Sequence, residues 1–190
     1  MKTMEELIAR LREAEAELEA AALAQLNETR TRLHYRLEQG RVHFESGIRR
    51  MQVQYRAGLL RYLFTARLSH LLTIPFIYSL IVPLLLLDLL ATLYQHICFP
   101  IYGIKRVRHR DHMVIDRHLL AYLNLIEKAH CFYCSYANGL IEYVREIAAL
   151  TEAYWCPIKH AHRSRDPHNL THKFLDYGDA EAWARRPPPP

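Results

Sequence analysis

Two short motifs in the second half of the chain have the residue types and spacing of metal ligands. They are Cys131-Phe-Tyr-Cys134 and Cys156-Pro-Ile-Lys-His160. Three thiolates and one imidazole form a ligand set that is typical of tetrahedral zinc sites. The sequence therefore predicts a zinc site made by Cys131, Cys134, Cys156 and His160, with iron as the alternative metal. Further candidate ligands near these motifs in sequence or in the expected fold are His130, His162, His112 and Asp116.

The stretch between the two motifs sets a geometric condition on such a site. Residues 140–154 have the composition and apolar spacing of a helix, and the ends of a helix of that length would lie about 22 Å apart. Zinc ligands lie about 2.0–2.3 Å from the metal. The two motifs can then share one ion only if a loop doubles back along the helix or if another subunit supplies half of the ligands.

A helical hairpin in this region would create a different grouping. It would bring Cys156, His160 and His162 towards His112, Asp116 and His118, which together offer a second metal or haem pocket. Asp116 also fits a local cap or ion pair, and that simpler interpretation is the favoured one for this residue.

The cysteines also permit two interpretations without a structural metal. Cys131 and Cys134 match a redox dithiol near the start of a helix, where Lys128 and His130 supply the nearby cations that favour a thiolate. Reduced cysteines can equally pack as small apolar side chains. Both alternatives stay open at the level of the sequence.

Enzyme signatures do not accompany these residues. The sequence contains no glycine-rich phosphate loop, no Gly-x-Ser-x-Gly elbow and no His-Glu-x-x-His helix. Glu127-Lys-Ala-His130 matches only one of the paired elements of a di-iron bundle. The sequence therefore favours a non-enzymatic protein.

The chain opens with a charged helical pattern rather than a secretory signal, so its amino terminus is expected in the cytosol, where cysteines stay reduced.

The segment that must position these motifs is apolar. Residues 71–104 contain one formal charge, Asp88, and three prolines, Pro75, Pro83 and Pro100. A straight helix of this length would measure about 51 Å, whereas the hydrocarbon core of a bilayer is about 30 Å thick. The sequence predicts either a single span over residues 71–90 with an interfacial tail, or a re-entrant hairpin bent near Pro83.

Basic residues on both sides of the apolar segment bear on its arrangement. Lys and Arg are enriched on the cytoplasmic side of membrane segments, and here both flanks are basic. This symmetry favours the re-entrant hairpin or a tilted monotopic helix pair, with both soluble parts in the cytoplasm. The chain has a net charge of +5, and its basic residues flank the apolar segment, where they would contact the headgroups of anionic lipid. The expected partner is therefore membrane lipid and not nucleic acid.

The rest of the chain is expected to be helical. Residues 1–68 are rich in helix-forming residues, and Met4, Leu11, Leu18 and Gln25 recur at heptad spacing. We expect a long amphipathic helix that forms a homodimer by coiled-coil pairing or recruits a membrane-protein partner. Residues 105–162 predict a helical hairpin with its turn at Asn138-Gly139, and residues 163–190 predict a disordered tail.

Several strings between Phe76 and His162 carry a family resemblance. They are FIYSLIVPLLLLDLLATLYQHICFPIYGI, VIDRHLLAYLN, CFYCSYANGLIEYVREIAA and TEAYWCPIKHA. This segment, a little under half of the chain, resembles a group of membrane-associated proteins typical of proteobacteria that has no established activity. The resemblance implies a location at the bacterial inner membrane. It also implies that residues 69–104 and the cysteine-bearing hairpin form one functional unit.

Taken together, the sequence predicts an all-α protein with a membrane-embedded segment at residues 69–104. The expected function is that of a membrane-attached zinc- or iron-binding protein that serves as a structural or accessory component of a membrane assembly. The alternatives are a membrane redox component that uses Cys131 and Cys134 or an iron centre, and a metal-free scaffold that recruits a partner through the amino-terminal helix.

Overall fold

The computed structural model describes residues 4–39, 41–45, 47–65, 67–162 and 164–186. It is mostly helical, with 68% helix and 6% strand, which agrees with the expected all-α character in its main feature. The helices and strands are α1 (Met4–Arg32), β1 (Tyr35–Glu38), β2 (Arg41–Phe44), α2 (Ile48–Gln54), α3 (Leu59–Thr65), α4 (Leu68–Ser79), α5 (Ile81–Ile101), α6 (His109–His112), α7 (Leu125–Trp155) and α8 (Ala180–Arg185).

The chain divides into two compact units. The first contains the residues up to Gly58 together with His118–Asn124, and the second contains Leu59–Arg117 and the chain from Leu125 onwards. In the first unit, α1 is a largely exposed helix of 29 residues. The self-association predicted from its heptad spacing stays a prediction.

The expected continuation of this first helix to residue 68 is wrong beyond Arg32. β1 and β2 form an antiparallel hairpin in which Tyr35 lies opposite Phe44 and Leu37 lies opposite Val42. These four apolar residues alternate along their strands, so they share one face of the hairpin. The rings of Tyr35 and Phe44 lie 5.9 Å apart. Cross-strand aromatic and aliphatic pairing therefore outweighs the helix propensity of this segment.

In the second unit, α4 and α5 form one apolar helical run. They are separated only by Leu80, whose backbone angles are also helical. Within the described residues, Ser69–Ile101 is the one run that is long and apolar enough to cross a membrane, and its most apolar part has a mean hydropathy of 2.2 and no buried residue.

The re-entrant hairpin bent near Pro83 is not formed. Pro83 lies in the first turn of α5, where a missing backbone N–H costs no helical hydrogen bond. The helix therefore tolerates this proline, and the chain does not reverse there.

The predicted helical hairpin between residues 105 and 162 is also wrong, because α7 is a single helix of 31 residues. Asn138 and Gly139 lie inside it, and Asn138 Nδ2 donates a hydrogen bond of 2.8 Å to the carbonyl of Cys134. The glycine is needed for another reason. A Cβ atom at position 139 would lie 2.4 Å from the carbonyl oxygen of His112, so Gly139 allows the backbone around α6 to rest directly on α7.

α5 packs along α7, and the two helices run in the same direction. Contacts between their early residues, such as Asp88 with Tyr136, are followed by contacts further along, such as Tyr102 with Tyr154. The buried core between them and the segment before α6 consists of Phe99, Val107, Leu140, Tyr143 and Ile147. This pairing places the polar residues of α5 against α7.

The expected disordered tail from residue 163 is wrong for the part that is described, residues 164–186. Phe174 is buried, Leu175 forms a parallel bridge with Ile158, and Asp166 pairs with Arg145 at 2.9 Å. A buried aromatic ring and an ion pair to α7 order this polar segment despite its composition.

The close approach at Gly139 gives a test of the packing. We expect Gly139→Ala to lower the free energy of unfolding by about 1–3 kcal/mol, because the new methyl group must displace backbone and not a flexible side chain. Thermal or urea denaturation measures this change. Gly58→Ala is the matched control, since a Cβ atom there meets nothing within 4 Å; an equal effect of both substitutions would contradict the packing.

Candidate functional site

The residues of the predicted zinc site are distributed along α7 and do not meet in one chain. Cys131 and Cys134 lie in its first third, whereas Cys156 follows its last residue, Trp155. At 1.5 Å per residue, the continuous helix separates Cys134 from Cys156 by about 33 Å. The zinc prediction stays a prediction, and it now requires that a second chain bring Cys156 and His160 to the cysteine pair.

The alternative ligands are also dispersed. His130 stacks on Tyr78 with 5.7 Å between the ring centroids, and His112 pairs with Glu146 at 2.9 Å. Asp116 is exposed. Within the described residues, no group of three or more histidine, cysteine, aspartate or glutamate side chains is placed to hold a metal ion.

His160 and His162 line a separate cavity of about 400 Å³ beside the last turns of α7. His168 and Glu152 also line it, and they pair with each other at 2.9 Å. Cys156, His112 and Asp116 do not line this cavity, so the pocket expected from the sequence is not formed there. His112 instead pairs with Glu146 on α7.

The structure instead gathers polar side chains around Asp88, the one charged residue of the apolar run. Tyr136 donates a hydrogen bond of 2.9 Å to its carboxylate, His109 Nε2 lies 3.2 Å from it, and Thr92 donates at 3.3 Å. Its side chain is only 21% exposed. Three partners thus replace the water that this carboxylate would lose on burial. We call Asp88, Thr92, Gln95, His109, Tyr136 and Tyr143 the Asp88 cluster.

Gln95 extends the Asp88 cluster to the chain that follows α5. It is almost completely buried, its Oε1 accepts 2.9 Å from the backbone N–H of Val107, and its Nε2 donates 3.3 Å to the carbonyl of the same residue. The same amide also bonds the hydroxyl of Tyr143, which in turn lies 3.1 Å from Thr92 Oγ1. One side chain therefore holds the segment around Val107 to both helices.

The Asp88 cluster opens into a cavity of about 700 Å³ beside α5. Three cationic residues, Lys105, Arg106 and Arg108, line it together with His96 and the polar face of α5. Asp88 is the single acidic residue in this lining. The cavity thus combines a hydrogen-bonded carboxylate at one wall with three permanent positive charges.

The environment of Tyr136 shifts its titration. Burial and the hydrogen bond to the Asp88 carboxylate raise the pKa of the Tyr136 hydroxyl to about 12, because both disfavour the phenolate. The proton therefore stays on the hydroxyl across the physiological range, and Tyr136 acts as a donor to Asp88.

Sequence reasoning noticed Asp88 but missed its partners. A usable signal was present in the sequence. The spacing of Asp88, Thr92, Gln95 and His96 places four polar residues on one face of an otherwise apolar helix. Such a polar stripe predicts that this face contacts protein and not lipid. Tyr136, Tyr143 and His109 carry no comparable signal, because their positions depend on the continuous α7 and on the chain that follows α5.

Comparisons with protein-family models, curated proteins and solved structures find no match to this chain.

The raised pKa of Tyr136 gives a pH-dependent test. The folded state holds the Tyr136 proton more tightly than the unfolded chain does, so this contribution to stability is fully present below pH 10 and is lost as the pH rises towards about 12. We expect Tyr136→Phe to cost about 1–3 kcal/mol at pH 7, because it leaves the carboxylate with one donor fewer.

Urea denaturation between pH 7 and pH 11.5 measures both effects. The difference between the original protein and Tyr136→Phe should shrink as the pH rises. Tyr177→Phe is the control, because that side chain is 70% exposed. A difference that stays constant with pH would contradict the bond between Tyr136 and Asp88.

Proposed function

We propose that the protein attaches to the membrane surface in the plane of the bilayer, with α4 and α5 in contact with lipid on one side and with α7 on the other. In this arrangement it serves as a structural or accessory component of a membrane assembly, on the cytoplasmic side of a bacterial inner membrane. The observation that carries the proposal is the two-faced character of α5.

One face of α5 is apolar and uncovered over its whole length. The side chains of this lipid-facing stripe are each between 52% and 71% exposed, and they are Val82, Leu85, Leu86, Leu89, Leu90, Leu93, Ile97 and Ile101. α4 continues the apolar surface with Leu72, Phe76 and Ile77. Soluble proteins rarely leave so large a continuous apolar patch in water, so this stripe favours contact with lipid.

The partner helix α7 argues against a crossing of the bilayer. It follows the apolar run from the contact of Tyr78 with His130 to the contact of Tyr102 with Tyr154. If the run crossed the bilayer, α7 would have to cross beside it. Its exposed charged residues would then lie in hydrocarbon, at about 2.5–3.5 kcal/mol each near the centre; they include Glu142, Arg145 and Glu146.

The polar side of α7 is also covered by the four-residue helix α6 and by irregular chain around Asp166. His112 and Asp166, on two different segments, bind Glu146 and Arg145 there. Irregular backbone at membrane depth is excluded from contact with lipid, because its N–H and C=O groups would lack partners. An in-plane position leaves both segments in water and still places the lipid-facing stripe in the boundary between headgroups and acyl chains.

Charge and the amino-terminal helix complete the proposal. Basic residues before and after the apolar run, such as Arg67 and Lys105, would each add about 1 kcal/mol of attraction to an anionic leaflet. α1 carries exposed leucines at heptad spacing, among them Leu11 and Leu18. They support a role of α1 in binding a second copy or a membrane-protein partner.

Vesicle flotation tests the lipid-facing stripe. We expect the protein to float with vesicles of phosphatidylcholine and phosphatidylglycerol. The triple variant Leu89→Lys, Leu93→Lys and Ile97→Lys should bind at least tenfold less, because three apolar contacts with lipid are replaced by charged groups. The control is Leu7→Lys, Leu11→Lys and Leu18→Lys, which places three lysines on exposed leucines of α1. Equal loss in both variants would overturn the assignment of the stripe.

Two exposed cysteines far apart along the α7 region distinguish an in-plane helix from a spanning one. Cys134 and Cys156 are both exposed. When the protein is added to preformed vesicles, we expect a membrane-impermeant maleimide to modify both thiols in the same molecule, as read by mass spectrometry of peptides. Modification of only one thiol until detergent is added would show that the helices span the bilayer, and would contradict the proposal.

A further inference from the structure

The cavity beside the Asp88 cluster has an unbalanced positive charge. Lys105, Arg106 and Arg108 lie within four consecutive positions and line the same cavity of about 700 Å³. Within the described residues, none of these three side chains forms an ion pair or a hydrogen bond. Three neighbouring cations without a partner repel one another, so an anionic ligand would relieve an unfavourable arrangement.

The one carboxylate in the lining does not cancel this charge. Asp88 already interacts with Tyr136, Thr92 and His109. Its oxygens are therefore directed to donors of α5, α6 and α7, and the three cations stay available. Guanidinium groups match the geometry of phosphate oxygens and bind them in a bidentate manner, and lysine adds a point charge.

The backbone that carries the cations is held in place before any ligand binds. Gln95 bonds both backbone groups of Val107, and Val107 lies between Arg106 and Arg108. The backbone that carries the charges is thus attached to a buried side chain of α5, although the charged groups themselves are exposed. A preorganised backbone lowers the entropy that binding must overcome.

The cavity also borders the lipid-facing stripe. His96 lines the cavity, and Leu89 and Leu93 precede it by seven and three residues on α5, so they are its neighbours on the helix surface. Both leucines are more than half exposed. A molecule with a phosphate group in the cavity could therefore place an apolar chain along these leucines.

We propose that Lys105, Arg106 and Arg108, with the polar face of α5, form a binding site for a phosphate group. The phosphate belongs either to the headgroup of an anionic phospholipid or to a soluble phosphate ester. The lipid source rests on the proposed attachment to the membrane, whereas the phosphate site itself does not depend on it.

Two probes test phosphate recognition, and the first separates it from simple attraction to negative charge. Flotation compares phosphatidylcholine vesicles that contain phosphatidic acid with vesicles that contain oleate at equal surface potential. Calorimetry with glycerol 3-phosphate, without vesicles, tests the soluble source. We expect at least tenfold stronger binding to the phosphatidic acid vesicles if the source is lipid, and measurable binding of glycerol 3-phosphate if the site also accepts soluble esters.

Two triple variants of equal charge locate the site. Lys105→Ala, Arg106→Ala and Arg108→Ala should abolish the preference for phosphate in whichever probe shows it. Arg49→Ala, Arg50→Ala and Arg56→Ala, three exposed arginines of the first unit, should keep it. Circular dichroism and thermal denaturation show that both variants are folded, which is expected because all six side chains are exposed.

The possible outcomes are distinct. A phosphate preference that only the Lys105, Arg106 and Arg108 variant loses supports the site. No preference in either probe, or equal loss in both variants, overturns it, and attachment to vesicles can then still hold through the lipid-facing stripe. Binding of glycerol 3-phosphate by a protein that floats with no vesicle supports the site and overturns the proposed membrane attachment.

Discussion

A carboxylate in the middle of an apolar helix is the constraint on which the second unit depends. Asp88 cannot lose its water without gaining donors, and the donors come from three different parts of the chain. Thr92 lies one turn further along the same helix, Tyr136 comes from α7, and His109 comes from α6. The need to match one charge therefore sets the register of α5 against α7 and brings α6 to both.

The neighbouring polar residues of α5, Thr92 and Gln95, likewise gain a hydrogen-bond partner on α7. Gln95 is buried and uses its amide to bind backbone and the Tyr143 hydroxyl. Phe99 and Ile147 fill the apolar space beside it. Polar bonds give this interface its specificity, since apolar contacts alone would allow α5 to slide along α7. In the part of the chain that the structure describes, the opposite face of α5 packs against no other helix, and its apolar side chains are exposed.

The sequence predicted features that depend on composition, and it missed features that depend on distant contacts. The apolar run was expected because local hydropathy determines it, and Ser69–Ile101 has that character. The helical hairpin was wrong because Asn138-Gly139 is typical of a turn, and only the carbonyl of His112 explains the glycine inside a helix. The β-hairpin was missed because a short alternation of apolar residues is hidden in a segment of strong helix formers. The cysteines were grouped by spacing, and a continuous α7 keeps them apart.

The parallel pairing of α5 with α7 has a consequence during synthesis of the chain. The residues that bind each other, Asp88 with Tyr136 and Gln95 with Tyr143, are separated by 48 positions. At about 5–20 residues per second, translation exposes the apolar helix roughly 2–10 seconds before its partner is complete. The nascent chain therefore carries an uncovered hydrophobic helix before α7 can cover its polar face, so under the proposed attachment lipid contact would precede helix pairing.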